Sequence, residues 1–169
     1  MSIKSFVAAS ALALSTFSLN AQADTFNFSY LSDDAVTSAV GQLFTTGSDV
    51  TAITGMVDGR TITSLIGSAG TQTSPSGHFL FDNTVYPGPA LSTYGILFSV
   101  AGDISGQEWN LWGSGGNSGA LHSFVPGVGY SPATSGTLSI TAVPEPQTYT
   151  MLLAGLGLLG YVARRRTPA

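Results

Sequence analysis

The chain has 169 residues, a formal net charge of −4 and no cysteine. The lack of thiols excludes disulfide bonds, thiolate metal sites and cysteine nucleophiles. Between Asp24 and Ala142, eight acidic residues stand against a single basic one, Arg60, so this stretch carries a net charge of −7. Nucleic acid, itself a polyanion, is therefore excluded as a partner.

Residues 1–23 show the pattern of a secretory signal peptide. A positively charged start precedes an apolar core over residues 6–19, and small residues stand at Ala21 and Ala23, the spacing that signal peptidase requires. We therefore expect export through the translocase, cleavage by signal peptidase and a mature chain that begins at Asp24. An uncleaved N-terminal anchor is the alternative.

The stretch 24–142 is predicted to be one β domain. It is rich in glycine, serine and threonine, a composition that favours strands and turns over helices. Phe26, Phe28 and Tyr30 occupy alternate positions, which predicts a half-buried strand. Eight or nine short strands predict an antiparallel β-sandwich or jelly roll, with a partly open barrel as the alternative. The predicted strands cover residues 24–31, 35–46, 50–57, 60–66, 78–85, 94–100, 108–112, 121–125 and 136–142.

Glycine and proline mark the connections between these strands. Residues 68–77 are polar and contain glycine and proline, which predicts a long surface loop, and residues 113–119 predict a flexible loop. Gly41 interrupts the second predicted strand and is interpreted as a bulge.

Two tryptophans are candidates for ligand contact. Trp109 and Trp112 lie in one predicted strand and, being three positions apart, point to opposite faces. One is then expected in the core, and the other is expected to be exposed, where it could stack on a sugar ring. Core packing of both side chains is the alternative.

Catalytic patterns are weak in this sequence. His78 and His122 could form a Ser-His-Asp triad with Asp82 or Asp103, but no nucleophile elbow is present. Asp103 and Glu108 are a candidate carboxylate pair for glycoside hydrolysis. The histidines also lack metal-site spacing, which argues against a metal site. Taken with the weak catalytic patterns, this leads us to predict no metal, no cofactor and no enzymatic activity.

Calcium is a further alternative, through acidic residues in predicted turns. Asp33, Asp34 and Asp58 lie in such turns, where aspartate is favoured for local hydrogen bonding. No EF-hand pattern supports calcium at these positions.

The C-terminal stretch 143–169 has three parts in a fixed order. The first is stiff and extended, because proline fixes its own φ and disfavours helix in the residue before it; it consists of Val143, Pro144, Glu145 and Pro146. Residues 148–163 carry no charge and predict a membrane helix of roughly 24 Å. A basic cluster then places this end in the cytoplasm; it consists of Arg164, Arg165 and Arg166.

This order closely resembles the PEP-CTERM sorting tail of exported bacterial proteins. In that family Pro-Glu-Pro precedes a membrane helix and a basic end, as at Pro144–Pro146 here. The resemblance implies processing near Pro-Glu-Pro by an exosortase, a membrane-embedded cysteine transpeptidase. An ordinary C-terminal anchor with a proline-rich stalk is the alternative.

Short motifs of turn glycines and apolar residues run through the domain, namely Ile53-Thr54-Gly55, Asp58-Gly59, Ile62, Phe81-Asp82-Asn83, Tyr86-Pro87, Gly95–Phe98 and Asn110–Trp112. Together they are similar to the exported domain found in many PEP-CTERM proteins, over nearly all of residues 24–142. This second resemblance implies one β domain carried by a sorting tail and no defined catalytic activity.

Together, these expectations predict an exported, non-enzymatic protein of the cell surface or extracellular matrix. The precursor is expected in the inner membrane with its domain outside the cytoplasm, until an exosortase processes the tail. The resemblance implies association with exopolysaccharide or biofilm. A carbohydrate-binding module using Trp109 or Trp112 is the alternative, and a secreted hydrolase is the third hypothesis.

Overall fold

A computed structural model describes residues 23–88, 90–132, 134–144 and 152–159. Residues 152–159 are helical, and the rest of the described chain is built from strands joined by turns. Numbered along the chain, the strands are β1 Ala23–Ser32, β2 Ser38–Thr46, β3 Asp49–Val57, β4 Arg60–Leu65, β5 Gln72–Thr73, β6 Leu80–Phe81, β7 Val85–Tyr86, β8 Ala90–Leu91, β9 Ile96–Val100, β10 Glu108–Gly115, β11 Ser118–Val125, β12 Gly129–Tyr130 and β13 Thr134–Ala142.

Eight of these strands form a closed, barrel-like antiparallel sheet. Hydrogen bonding runs in the order β10, β9, β4, β3, β2, β1, β13, β11, and β11 then pairs with β10. β12 lies outside this ring and pairs with β11. The predicted antiparallel all-β domain is confirmed. The first and last barrel strands, β1 and β13, pair with each other, so the sheet is continuous. A sandwich or jelly roll has two separate sheets instead.

The barrel interior is filled by side chains that alternate along the strands. Phe28 and Tyr30 are buried, while Asn27 before Phe28 and Ser29 between the two are exposed, as the period-two pattern predicts. All eight barrel strands contribute to one apolar cluster, which includes Leu43, Val57, Ile62, Phe98, Leu111, Leu121 and Leu138. Burial of this cluster is the main stabilising contribution of the closed sheet.

The chain between β4 and β9 covers part of the outer face of the barrel. Leu97 points away from the interior, yet it is fully buried because it packs with Phe79 and Phe81 in a second apolar cluster. The predicted surface loop 68–77 belongs to this covering layer: it contains β5, which pairs with β6, and a buried Ser74. Most of the stretch is exposed and irregular, as the sequence predicts, and only β5 and Ser74 depart from a plain surface loop.

The predicted strand 78–85 is interrupted at Asn83. This residue has a φ of 45°, in the left-handed region that asparagine tolerates better than most residues. Its buried side chain accepts a hydrogen bond from the Leu97 backbone N–H at 3.0 Å and donates one to the Ile66 carbonyl at 2.9 Å. The hydrogen bonds of the Asn83 side chain thus connect the covering layer to the barrel. The strands before and after this residue, β6 and β7, are short.

The predicted flexible loop 113–119 is a tight β-hairpin instead. β10 continues to Gly115 and β11 begins at Ser118, and only Gly116 and Asn117 form the turn. Gly116 has a φ of 58°, which glycine adopts without steric cost. Trp112 therefore lies on a paired strand opposite Ala120, and the register of the hairpin shifts only closer to the turn, between Gly113 and Gly115.

Several predicted segments lie outside the described residues. They include nearly all of the signal peptide, from residue 1 to residue 22, together with Glu145, Pro146 and the cluster Arg164–Arg166. The predicted membrane helix 148–163 is described only over residues 152–159. Within the described ranges, no helix has the length and apolar character needed to cross a membrane.

Candidate functional site

A groove of about 680 Å³ lies on the outer face of β10 and β11. Its volume falls in the range of roughly 300–1,000 Å³ that is usual for small-molecule sites. The lining is dominated by rings, which belong to His78, Phe79, Tyr94, Trp112, His122 and Tyr130. This concentration of aromatic side chains at a partly open surface makes the groove the candidate site.

The floor of the groove is built by the register of the β10–β11 hairpin. Asn110 pairs directly with His122, and Trp112 stands two residues further along β10, so the three side chains leave the same face of the sheet. The ring centroids of Trp112 and His122 are 5.9 Å apart, and their planes are tilted by 32°. Both rings are partly exposed and form an aromatic floor on a rigid hairpin.

One wall of the groove comes from the covering layer and β12. The His78 ring stacks on Phe124 with centroids 3.8 Å apart, and the Tyr130 ring meets Phe79 nearly edge-on at 5.6 Å. The Tyr130 hydroxyl donates to the His78 carbonyl at 2.7 Å. These contacts hold the wall in place before any ligand arrives, which lowers the entropic cost of binding.

Asn110 lines the groove and has spare hydrogen-bonding capacity. Its side chain is only 3% exposed, and its Nδ2 donates to the carbonyls of Leu80 at 3.3 Å and Tyr94 at 3.0 Å. Both partners are acceptors only, so the orientation of the amide is determined. Its Oδ1 has no hydrogen-bond partner among the described residues, which is unusual for a buried polar atom.

His122 contributes an uncharged ring to the floor. Burial lowers the pKa of His122 below its ordinary value, because a low-dielectric surrounding disfavours the charged form. The ring is therefore neutral at pH 7, and the hairpin presents two aromatic surfaces without a formal charge.

Trp109 occupies a different place from Trp112. It is 9% exposed and belongs to the barrel core. Its Nε1 donates to Asp103 Oδ2 at 2.8 Å, and the Arg60 guanidinium lies 5.2 Å from its ring centroid. Of the two tryptophans that the sequence suggested for glycan contact, only Trp112 lines the groove.

The carboxylates that the sequence suggested for catalysis are held in structural hydrogen bonds. Glu108 is buried and accepts from the Ser76 backbone N–H at 2.9 Å and from the Ser76 hydroxyl. Asp82, also buried, accepts from the Ser92 hydroxyl at 2.6 Å. Within the part of the chain that the structure describes, no group of three histidine, aspartate or glutamate residues is placed to hold a metal ion.

The acidic turn residues cap local structure. Asp34 Oδ1 accepts from the Ser32 hydroxyl at 2.6 Å and the Val36 N–H at 3.0 Å; these hydrogen bonds lower the pKa of the Asp34 carboxyl. Asp58 Oδ1 accepts from the Ser38 N–H at 2.7 Å. Asp34 and Asp58 thus have roles in their turns that need no calcium, whereas Asp33 is exposed and contributes its backbone N–H to the Ser135 carbonyl.

The two predicted processing sites lie at the same end of the barrel. Asp24 follows the first residue of β1, and the β1–β13 ladder reaches the pair Phe26–Ala142. One further hydrogen bond, from the Val143 N–H to the Thr25 carbonyl at 2.7 Å, ends this pairing. Pro144 is exposed, so the folded domain ends where the sorting segment begins.

Sequence reasoning did not find most of the groove. Tyr94 stands at the start of the predicted strand 94–100, Tyr130 lies in a turn-rich stretch, and the sequence suggested His122 only for catalysis or metal binding. The alternation along β10 and β11 could have placed Asn110 beside Trp112, since both positions are even-numbered. No comparable pattern in the sequence predicted the covering layer that supplies the wall of the groove.

Comparison with known proteins identifies the tail. A family model for the PEP-CTERM protein-sorting motif matches residues 142–166, so the chain carries this motif, as predicted. The motif indicates an exported protein that an exosortase processes at the cell surface. Searches of the curated proteins and of the solved structures returned no match to the chain.

Proposed function

We propose that this protein is a non-enzymatic, carbohydrate-binding component of the cell surface or extracellular matrix. Its barrel takes a sugar in the groove floored by Trp112 and His122, and through this contact the protein associates with extracellular polysaccharide such as a biofilm matrix. The single observation that carries the proposal is the aromatic groove, because it is a partly open site of the right size on the exported domain.

The chemistry of the groove matches the chemistry of a sugar ring. A pyranose has an apolar C–H face and a rim of hydroxyl groups. Trp112 and His122 offer flat surfaces to such a face, and large aromatic rings contribute strongly to binding when a ligand covers them. Thr93 and Ser131 also line the groove, and their hydroxyl groups can donate to or accept from those of a sugar.

The burial and hydrogen bonding of the acidic side chains support a role without catalysis. Glycoside hydrolysis needs two carboxylates on opposite sides of one bond. Glu108 and Asp82 are buried and accept hydrogen bonds from serine hydroxyls, and Asp103 binds Arg60 and Trp109. A secreted hydrolase is therefore the weaker hypothesis.

Replacing Trp112 by alanine is expected to weaken glycan binding by at least about tenfold, since an aromatic anchor of a site typically contributes 2 kcal/mol or more. Binding would be measured on a glycan array and then by calorimetry with the glycans that respond. Tyr86→Ala is the matched control, because it removes another exposed ring that does not line this groove. Equal loss in both variants, or unchanged binding in Trp112→Ala, would contradict the proposal.

The sorting tail completes the proposed path of the protein. The precursor passes the translocase, loses residues 1–23 to signal peptidase and is held in the inner membrane through the stretch 148–163 until the exosortase acts at Val143–Pro146. Support comes from the matched motif and from the position of Val143, whose N–H makes the last hydrogen bond of the β1–β13 ladder.

Intact mass of protein recovered from the envelope and the medium tests this path. We expect a species that begins at Asp24 and ends between Val143 and Pro146, because the ladder protects the chain up to Ala142 and proteases act on extended, accessible peptide. Additional mass at the new C-terminus would indicate transfer to an acceptor. A species that still ends at Ala169, in cells that process their other PEP-CTERM proteins, would contradict exosortase processing.

A further inference from the structure

The lining of the groove is polar or aromatic and lacks carboxylates and primary cationic side chains. Beside the aromatic rings stand Thr93, Asn110 and Ser131, and among the described residues no lysine, arginine, aspartate or glutamate lines the groove. Proteins that bind carboxylated or sulfated ligands supply arginine or lysine for paired hydrogen bonds. Nothing in this lining can serve that purpose.

The surroundings of the groove are electronegative. Glu108 lies two residues before Asn110 on β10 and shares its face, and its carboxylate is held by Ser76 without a cation. The one arginine of the 24–142 stretch, Arg60, is engaged with Asp103 at 2.7 Å. With a net charge of −7 on that stretch, the field of the domain opposes an anionic ligand.

The polar side chains of the lining suit hydroxyl groups but do not distinguish neutral from acidic sugars. Thr93, Asn110 and Ser131 line the groove and carry groups that hydrogen-bond with hydroxyls, and a sugar oxidised at C6 keeps its other hydroxyl groups. The discrimination against carboxylated sugars therefore comes from charge.

We propose that the groove selects uncharged sugars: it binds a neutral hexose polymer and discriminates against the same polymer when its sugar units carry carboxylates. This inference rests on the proposed carbohydrate binding and narrows its substrate class. The ligand rests one ring face on Trp112 and presents hydroxyl groups to the polar part of the lining, which includes the exposed Thr93.

Matched pairs of oligosaccharides test the selection. The probes are hexamers of β-1,4-linked glucan, galactan and mannan, each compared with its counterpart oxidised at C6 to the uronic acid. Binding to the intact exported protein is measured by calorimetry at pH 7 and low ionic strength. We expect at least one neutral hexamer to bind, and to bind at least about tenfold more tightly than its oxidised partner.

A charge placed in the groove should shift this preference. Thr93 lines the groove and is exposed, so Thr93→Lys is expected to narrow the difference between the paired hexamers by about threefold or more. Thr63→Lys adds the same charge at an exposed position of β4 and should leave the difference unchanged.

The outcomes separate the two proposals. An oxidised hexamer that binds as tightly as its neutral partner, or more tightly, would overturn the selection for neutral sugars and leave carbohydrate binding intact. Failure of all six hexamers and of the glycan array would overturn carbohydrate binding, and the selection with it. An equal effect of Thr93→Lys and Thr63→Lys would show that selection does not occur in the groove.

Discussion

Replacing Asp103 by alanine is expected to lower the free energy of unfolding by about 3 kcal/mol. The Asp103 side chain is 6% exposed, and its carboxylate accepts from the Arg60 guanidinium, the Trp109 Nε1–H at 2.8 Å and the Val100 N–H at 3.2 Å. Alanine leaves the two neutral donors buried without an acceptor. The contribution of Arg60 is smaller, because its side chain is 38% exposed and can be hydrated by water.

The measurement is urea unfolding at pH 7 followed by tryptophan fluorescence. Asp33→Ala is the control, because it removes a carboxylate from an exposed turn and is expected to change stability by less than about 0.5 kcal/mol. A loss below 1 kcal/mol in Asp103→Ala would mean that the three hydrogen bonds do not join the β9–β10 corner to the core as described.

Replacing Gly41 by valine is expected to cost at least about 3 kcal/mol, because overpacking at this position displaces backbone as well as side chains. Gly41 pairs with Gly55 on one side and Phe28 on the other. A Cβ at Gly41 would lie 1.9 Å from the Thr54 carbonyl oxygen and 2.8 Å from the Phe28 ring. Neither contact is tolerable, so β1, β2 and β3 would have to separate locally.

Thermal unfolding compares this variant with Gly47→Asn. Gly47 has a φ of 63°, and a Cβ there would meet no atom within 4 Å, so asparagine is expected to be tolerated with a loss of no more than about 1 kcal/mol. If Gly41→Val unfolded at the same temperature as the wild-type protein, the close approach of the three strands would be refuted.

The same residue shows how far sequence reasoning reaches. A glycine inside a predicted strand indicates either a bulge or a close backbone approach, and Gly41 was interpreted as a bulge. The β2–β3 register is regular through Gly41, and its irregularity lies at Phe44 and Thr45. The choice between the two interpretations depends on Gly55 and Phe28, which the sequence does not place beside Gly41.

For the two tryptophans, too, the sequence predicted only part of what the structure shows. Their spacing alone placed Trp109 and Trp112 on opposite faces, because alternation along a strand is a local property. Which of the two is buried depends on the closure of the barrel around Trp109 and on the covering layer, which leaves Trp112 partly open. The groove itself joins residues from β6, β10, β11, β12 and three connecting segments, so its aromatic lining exists only after the chain has folded.

By itself, the sequence determined the antiparallel β character of the domain and the sorting motif of the tail. Both rest on local chemistry: side-chain alternation and turn residues act within a few positions, and a Pro-Glu-Pro segment is stiff in any context. The tertiary structure alone decided that β1 pairs with β13 and closes the sheet, and that the stretch after β4 folds back over the barrel. These contacts join distant parts of the chain, and their stability comes from shared burial of apolar surface, which no local pattern specifies.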